Sequence, residues 1–358
     1  MMTSLKPTLS AIAAVAIAAP VALAQEGAPA EDATPRTSWG VPDLTGTWDF
    51  ATITPFNRPE RFGDRKYLTD EEYEGWNEGA KRGREERDRA PSRPAPETPT
   101  QGDVDVGYNS FFIDSGKHLS PGRRTSIVVD PPNGRMPGIT MAARMRYAEM
   151  REKWEHPPRT PADRPPATRC LVGFNAGPPM SSGAYNNLVR IFQSPGHVGI
   201  LNEMVNDHRV IATDGGEHLS KNVRFWKGDS RGRWEGNTFV VETRNFRPET
   251  NFRGSGPDMH LTERFTRIDE NTLRYEYTVD DPEMFQGKWS TEQDWVRTDS
   301  DIYEYACHEG NRSLLMQMRA AKQQYDAGNA VADETWLPTW YKWMPKKADL
   351  LAQQAGEE

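Results

Sequence analysis

From residue 186 to residue 309 the chain reads as one strand after another, and no other feature narrows the possible folds as much. "NNLVRIFQS", "HVGILNEMV" and "HRVIAT" are separated by turns at Pro195-Gly196 and Asn206-Asp207. "RGRWE" and "TFVVETRNF" flank Gly236-Asn237, a pair suited to the positive φ of a tight hairpin turn. "HLTERFTRI" and "TLRYEYTVD" repeat the device around Asp269, Glu270 and Asn271, and "KWSTEQDWVRT" and "IYEYACHE" around Asp299, Ser300 and Asp301. Seven or eight strands of similar length with short turns predict a mainly β fold, an antiparallel calycin-like barrel or a strongly curved meander sheet. A barrel of about eight strands has room for one small ligand.

The glycines of "GDSRGRWEGNTFVVETRNF" invite a second reading, a phosphate-binding loop. No G-x-G-x-x-G or G-x-x-x-x-G-K-[ST] spacing is present and a strand follows rather than a helix, so the stretch reads as a hairpin. Arg224, Trp226 and Asp229 stand at its approach as ligand contacts.

The amino terminus carries an address. Lys6, the apolar run "AIAAVAIAAPVAL" and the small residues "ALA" at 22 to 24 make the three parts of a secretory signal peptide over 1–24. The run is too short for a membrane anchor, which needs about 20 apolar residues, and Gln25 rather than a cysteine follows. The expectation is an exported, periplasmic or secreted chain, soluble after cleavage. In an oxidising compartment the two cysteines, Cys170 and Cys307, most simply form one disulfide; a free catalytic thiol is the competing reading. The net charge of −8 offers no general attraction for nucleic acid. The seven histidines show no H-x-x-x-H, H-E-x-x-H or C-x-x-C-like metal spacing, so neither a metal nor a cofactor is expected.

The first half is a series of short elements and long loops. After a lead-in at 25–40, "PDLTGTWDFATI" has strand residues, and "YLTDEEYEGWNEGAKRGREERDRA" reads as a polar helix opened by a Thr69–Glu72 capping box. "APSRPAPETPTQGD" is a proline-rich connection, 125–129 a short strand, and Thr140 the cap of a helix through "MAARMRYAEMREKW". Two helical segments, "NRSLLMQMRAAKQQYDA" and "ETWLPTWYKWMPKKADLLAQQ", end the chain; the second brings together Trp336, Trp340, Tyr341 and Trp343. A single domain over 41–358 is expected, with 41–180 wrapping, 181–311 forming the meander and 312–358 the terminal helices.

The Gly46-x-Trp48 of "LTGTWDF" on a first strand, followed by a β-meander, resembles lipocalin and calycin barrels. "PDLTGTW", "RRTSIVVDPPNGRMP", "RCLVGFNAGPPM", "GAYNN", "GDSRGRWEGNTFVVET", "ERFTRID" and "IYEYACHEGN" are together similar to a large set of exported bacterial proteins of unassigned function. That resemblance implies one continuous domain with a lipocalin-like half and carries no catalytic assignment.

Strand alternation selects the candidate site residues, because neighbours point to opposite faces. Met259, Leu261, Glu263 and Phe265 share a core face, so the Glu263 carboxylate must be paired, protonated or functional; an inward arginine such as Arg224 is the expected partner. His197, Gly199, Leu201 and Glu203 share another face, making Glu203 a second inward carboxylate. His308 at the end of the last expected strand suits proton transfer, and Tyr303 and Tyr305 can orient an oxygen. Tyr185 and Asn187 are polar candidates at a barrel mouth. With Glu203, Glu263 and His308 as proton-transfer groups and Arg224, Trp226, Tyr303, Tyr305, Tyr185 and Asn187 as binding groups, the reading is cofactor-free acid–base chemistry of the lyase, isomerase or hydratase kind. The alternatives are a binding protein for an apolar or aromatic ligand, and a glycosidase using the carboxylate pair.

Overall fold

The computed structural model describes residues 34–89, 114, 116–249, 252–337 and 342–357. The signal-peptide reading, the 90–103 connection, Trp340 and Tyr341 lie outside them. The strands are β1 (Gly46–Asp49), β2 (Val128–Asp130), β3 (Leu188–Ser194), β4 (His197–Asn202), β5 (His208–Ala212), β6 (Asp229–Glu235), β7 (Thr238–Arg244), β8 (His260–Arg267), β9 (Thr272–Asp280) and β10 (Trp289–Thr298). The helices are α1 (Asp70–Arg89), α2 (Met141–Glu155), α3 (Cys307–Gly310), α4 (Arg312–Asp326) and α5 (Lys347–Glu357).

The sheet runs β1-β3-β4-β5-β6-β7-β8-β9-β10 and returns from β10 to β1, a closed barrel of nine strands with β2 added alongside β10. Its pairings are antiparallel except at one seam, where β5 meets β6 through a single parallel pair, Ala212 and Arg231. The fold is therefore the mainly β, calycin-like barrel expected, with two differences. The first half does more than wrap: β1 closes the barrel, pairing Thr47 with Arg190 of β3 and with Thr298 of β10. "IYEYACHE" is not a strand, because β9 and β1 already occupy both edges of β10, and the chain leaves the barrel and turns into α3.

Alternation fills the interior. Leu261, Glu263, Phe265 and Arg267 of β8, Leu273, Tyr275, Tyr277 and Val279 of β9, and Trp289, Thr291, Gln293 and Trp295 of β10 are all buried. Aromatic rings dominate: Tyr275 lies 4.4 Å from Trp295 between centroids, and Phe265 5.0 Å from Tyr275. At the end carrying the β6–β7 and β8–β9 turns, Trp48 is buried with its indole Nε1 donating to the Leu44 carbonyl at 3.0 Å. The Arg267 guanidinium stacks on the Trp48 ring at 4.9 Å and donates to the carbonyls of Asp43, Asp269 and Glu270.

Outside the barrel, loop carbonyls need donors that no sheet supplies, and arginines provide them. Arg58 bonds Thr125 and the Pro132 carbonyl. Arg151 on α2 bonds the Lys342 and Met344 carbonyls, Glu155 and Glu334. Arg164 bonds the Trp154 and His156 carbonyls and Gln317 on α4. The helix starts follow the sequence: Thr69 and Glu72 cap one another's backbone N–H groups before α1, and Thr140 accepts from Ala143 N–H at the head of α2. The Cys170–Cys307 disulfide is present and ties the segment before β3 to α3. Among the described residues no helix is long and apolar enough to cross a membrane.

Candidate functional site

Two cavities are formed by the barrel wall and the segments packed against it. One is lumenal, about 380 Å³. The inward side chains Tyr275, Tyr277, Thr291 and Gln293 form its walls, and Thr52, Thr54, Phe56, the 180–184 segment and Arg253 cover it. A strut crosses the lumen beneath it. Arg209 reaches from β5 to Glu263 on β8, with two parallel bonds of 2.6 Å each. Tyr275 Oη donates to Glu263 Oε1 at 2.7 Å and accepts from Met180 N–H at 3.0 Å. Burial works against the charged form of Arg209, but attraction and hydrogen bonding from Glu263 together outweigh it and raise its pKa. Burial also pushes the Tyr275 phenol far up, with the adjacent Glu263 charge adding to the effect.

The other cavity is a cleft of about 620 Å³ on the outer face of the wall, where Asp49, Asp114 and Glu203 meet Tyr185, Asn187 and Tyr305. Burial raises the Glu203 pKa, and the charges of Asp49 and Asp114 add to the rise. Asp49 is raised for the same first reason and then by Asp114. Asn187 is structural as well as cleft-lining: its amide donates to the Asp114 and Gly183 carbonyls, and its carbonyl accepts from Asn175 and Gly183 N–H.

The structure thus scatters the expected proton-transfer set. Glu263 faces the lumen as expected, but its partner is Arg209, not Arg224. Arg224 donates to Asp258 and to the Phe246 and Pro257 carbonyls elsewhere. Glu203 does not point inward: Val198, Ile200 and Asn202 are the buried set on β4, and Glu203 follows the strand at the outer cleft. His308 is exposed on α3 and lines neither cavity. Tyr303 is exposed, and Trp226 lies between the guanidinium groups of Arg169 and Arg247. Four of the candidates, Glu203, Tyr185, Asn187 and Tyr305, do converge, in the outer cleft. Arg209 and Arg253 are the residues that sequence reasoning missed. Arg209 shares the inward face with buried Ile211, but Val210 on the opposite face is equally apolar, so alternation in the sequence does not single it out. Arg253 lies in an irregular loop with no periodic signal. Among the described residues no group of three or more His, Cys, Asp or Glu side chains is arranged to hold a metal ion.

No protein-family model matches the chain. No curated protein matches it by sequence. Among solved structures, the secretory abundant heat soluble (SAHS) protein of Ramazzottius varieornatus is similar over 37% of this chain and 82% of its own, at 9% identity and a TM-score of 0.24. The REP1-NXSQ fatty acid transporter is similar over 32% of this chain and 71% of its own, at 14% identity and a TM-score of 0.20. Likenesses of this size carry nothing about ligand or activity, and the barrel assignment rests on the strand pairing itself.

Proposed function

We propose that the protein binds a small molecule with an aromatic or apolar body in the lumenal cavity and performs no chemistry on it. The observation that carries this reading is the state of Glu263. The inward carboxylate that could have acted on a bound substrate is held by both Arg209 bonds and by Tyr275, while the cavity above it offers Phe56, Ile127, Met180, Tyr275 and Tyr277 as an apolar lining. Small-molecule sites have this composition, mostly apolar walls with a few placed polar groups, and run from roughly 300 to 1,000 Å³. Ala184 is exposed at the rim, so Ala184→Phe is expected to block entry without loss of stability. Titration with 2-naphthol, followed by tryptophan fluorescence, should saturate at one equivalent in the native protein and fail in the variant. Equal binding by both would place the ligand elsewhere, and no binding by the native protein to any of a set of small aromatics would sink the reading.

Acid–base chemistry has less support, because Glu203, Glu263 and His308 occupy three separate places. What still speaks for it is the outer cleft, where two carboxylates with raised pKa values face Tyr185 and Tyr305. That reading predicts that Glu203→Gln abolishes any turnover found for the protein, whereas lumenal binding leaves the variant's affinity unchanged.

A further inference from the structure

The buried and half-buried arginines that brace the barrel and its loops have oxygen partners. Arg58, Arg151, Arg164, Arg209 and Arg267 each donate to carbonyls, hydroxyls or carboxylates. Arg253 differs in two respects: the residue is exposed at the cavity mouth, and no oxygen of the described residues holds it. Among the described residues its guanidinium makes no hydrogen bond or ion pair; its contacts are aromatic, 3.7 Å from the Phe56 ring centroid and 5.8 Å from that of Phe252. Its backbone sits at φ 51°, in the left-handed region that non-glycine residues avoid at a cost of about 1–2 kcal/mol. A costly backbone conformation that delivers an unpartnered cation to the mouth of a cavity is a feature that needs a use.

The cavity lining reinforces the point. Among the described residues it contains no aspartate, glutamate, lysine or histidine, and Arg253 is the one charged residue lining it. The outer cleft, by contrast, collects three carboxylates. A second polar group waits in the lumenal wall: the Tyr277 hydroxyl is buried, at 2% exposure for the residue, with no hydrogen-bond partner of good geometry, although Thr291 lies close by. Burial raises the Tyr277 pKa, which leaves the phenol a donor at neutral pH. Burial acts on Arg253 in the opposite direction, but a guanidinium stays charged in proteins.

Resting on the binding reading above, we propose that the lumenal ligand is a monoanion, an aromatic or alkyl body bearing one carboxylate, whose charge is received by Arg253 with the Tyr277 hydroxyl as a second donor. One cation matches one negative charge; a phosphate dianion would bring a second charge that nothing in the lining compensates. Phe56 holds the guanidinium by cation–π contact, and the N–H groups of Arg253 are the donors offered to the carboxylate.

The test is calorimetric titration of the full chain with matched acid and amide pairs: cinnamate and cinnamide, 2-naphthoate and 2-naphthamide, octanoate and octanamide. At least one acid should bind the native protein roughly tenfold or more tightly than its amide, as expected for a charge-assisted bond. Arg253→Gln should bring that acid down to the affinity of its amide while leaving the amide unchanged, and Arg253→Lys should keep part of the preference. Tyr277→Phe, a second variant that keeps the ring, should weaken the acid severalfold and spare the amide. Acid and amide binding the native protein alike, or a preference that survives Arg253→Gln, would overturn the monoanion proposal and leave lumenal binding standing. Failure of all six compounds to bind would overturn both.

Discussion

Glu263 shows what a charged residue inside a barrel costs and how the cost is met. Its carboxylate is fully buried, and so is nearly all of Arg209. Attraction inside protein offsets the loss of water only when the geometry is good and remaining lone pairs are used; here two short parallel bonds and the Tyr275 hydroxyl use them. Removing one partner leaves the other charge stranded. Glu263→Ala should therefore cost about 3–5 kcal/mol in urea unfolding, while the Arg209→Met/Glu263→Leu pair should cost far less than twice the single change. Glu203 presents the opposite case. Its pKa is raised by burial and by Asp49 and Asp114, so the folded state holds a proton more tightly than the unfolded chain. That contribution is complete below the unfolded value near 4 and is lost as pH rises through the folded pKa. Glu203→Gln should thus raise the melting temperature at pH 7, with the gain vanishing as pH falls toward about 4; a gain of equal size at both pH values would contradict the assignment. Parity explains why one carboxylate was legible and the other not. Around Glu263 every second residue is apolar, but on β4 Ile200 and Leu201 are adjacent and a buried Asn202 follows, so the sequence favours neither face. Val210 and Ile211 hide Arg209 in the same way, since one is 68% exposed and its neighbour fully buried.

At the level of elements, local chemistry was readable wherever a turn or cap decides the structure by itself. Gly236, at φ 59°, closes the β6–β7 hairpin between Glu235 and Thr238. Thr140, before α2, accepts from Ala143 N–H. Local signals say nothing about vacancy at a sheet edge, which is why "IYEYACHE", rich in strand formers, was misread: closure by β1 left it no partner. What fixes that segment instead is the Cys170–Cys307 bond, spanning 137 residues, with Asn311 donating to the Thr168 carbonyl beside it. A loop of that length can contribute up to about 4–5 kcal/mol in the chain-entropy picture. Replacing both cysteines by serine should lower the unfolding midpoint in urea by a corresponding amount and leave the far-UV circular dichroism of the native barrel unchanged, because neither cysteine lies in a strand. An unchanged midpoint would mean that the reduced, unfolded chain keeps the two segments together without the bond.

At the scale of the whole molecule, the decisive contact is between the two halves of the chain. We propose that residues 41–358 form one domain, because the barrel cannot close without β1. Its four residues pair with β3 on one side and β10 on the other, and Leu44, Trp48 and Phe50 around it are among the most buried side chains of the core. Removing the first half would expose two long strand edges, and exposed edges pair with other chains. It would also unseat Arg267 from Trp48 and uncover Trp295 from Phe50. A fragment of residues 181–358 holds eight of the nine barrel strands, yet it should aggregate and show no cooperative melt. Supplied in trans with a fragment of 41–180, it should recover a single transition. The sequence shows a complete meander in the second half and only a short G-x-W strand far upstream, so it suggests a self-sufficient barrel with a wrapping; the closing strand becomes visible only through its pairing. A monomeric 181–358 fragment with a sharp thermal transition of its own would show that the meander can close β3 onto β10 directly, and that the first half is an attachment rather than part of the barrel.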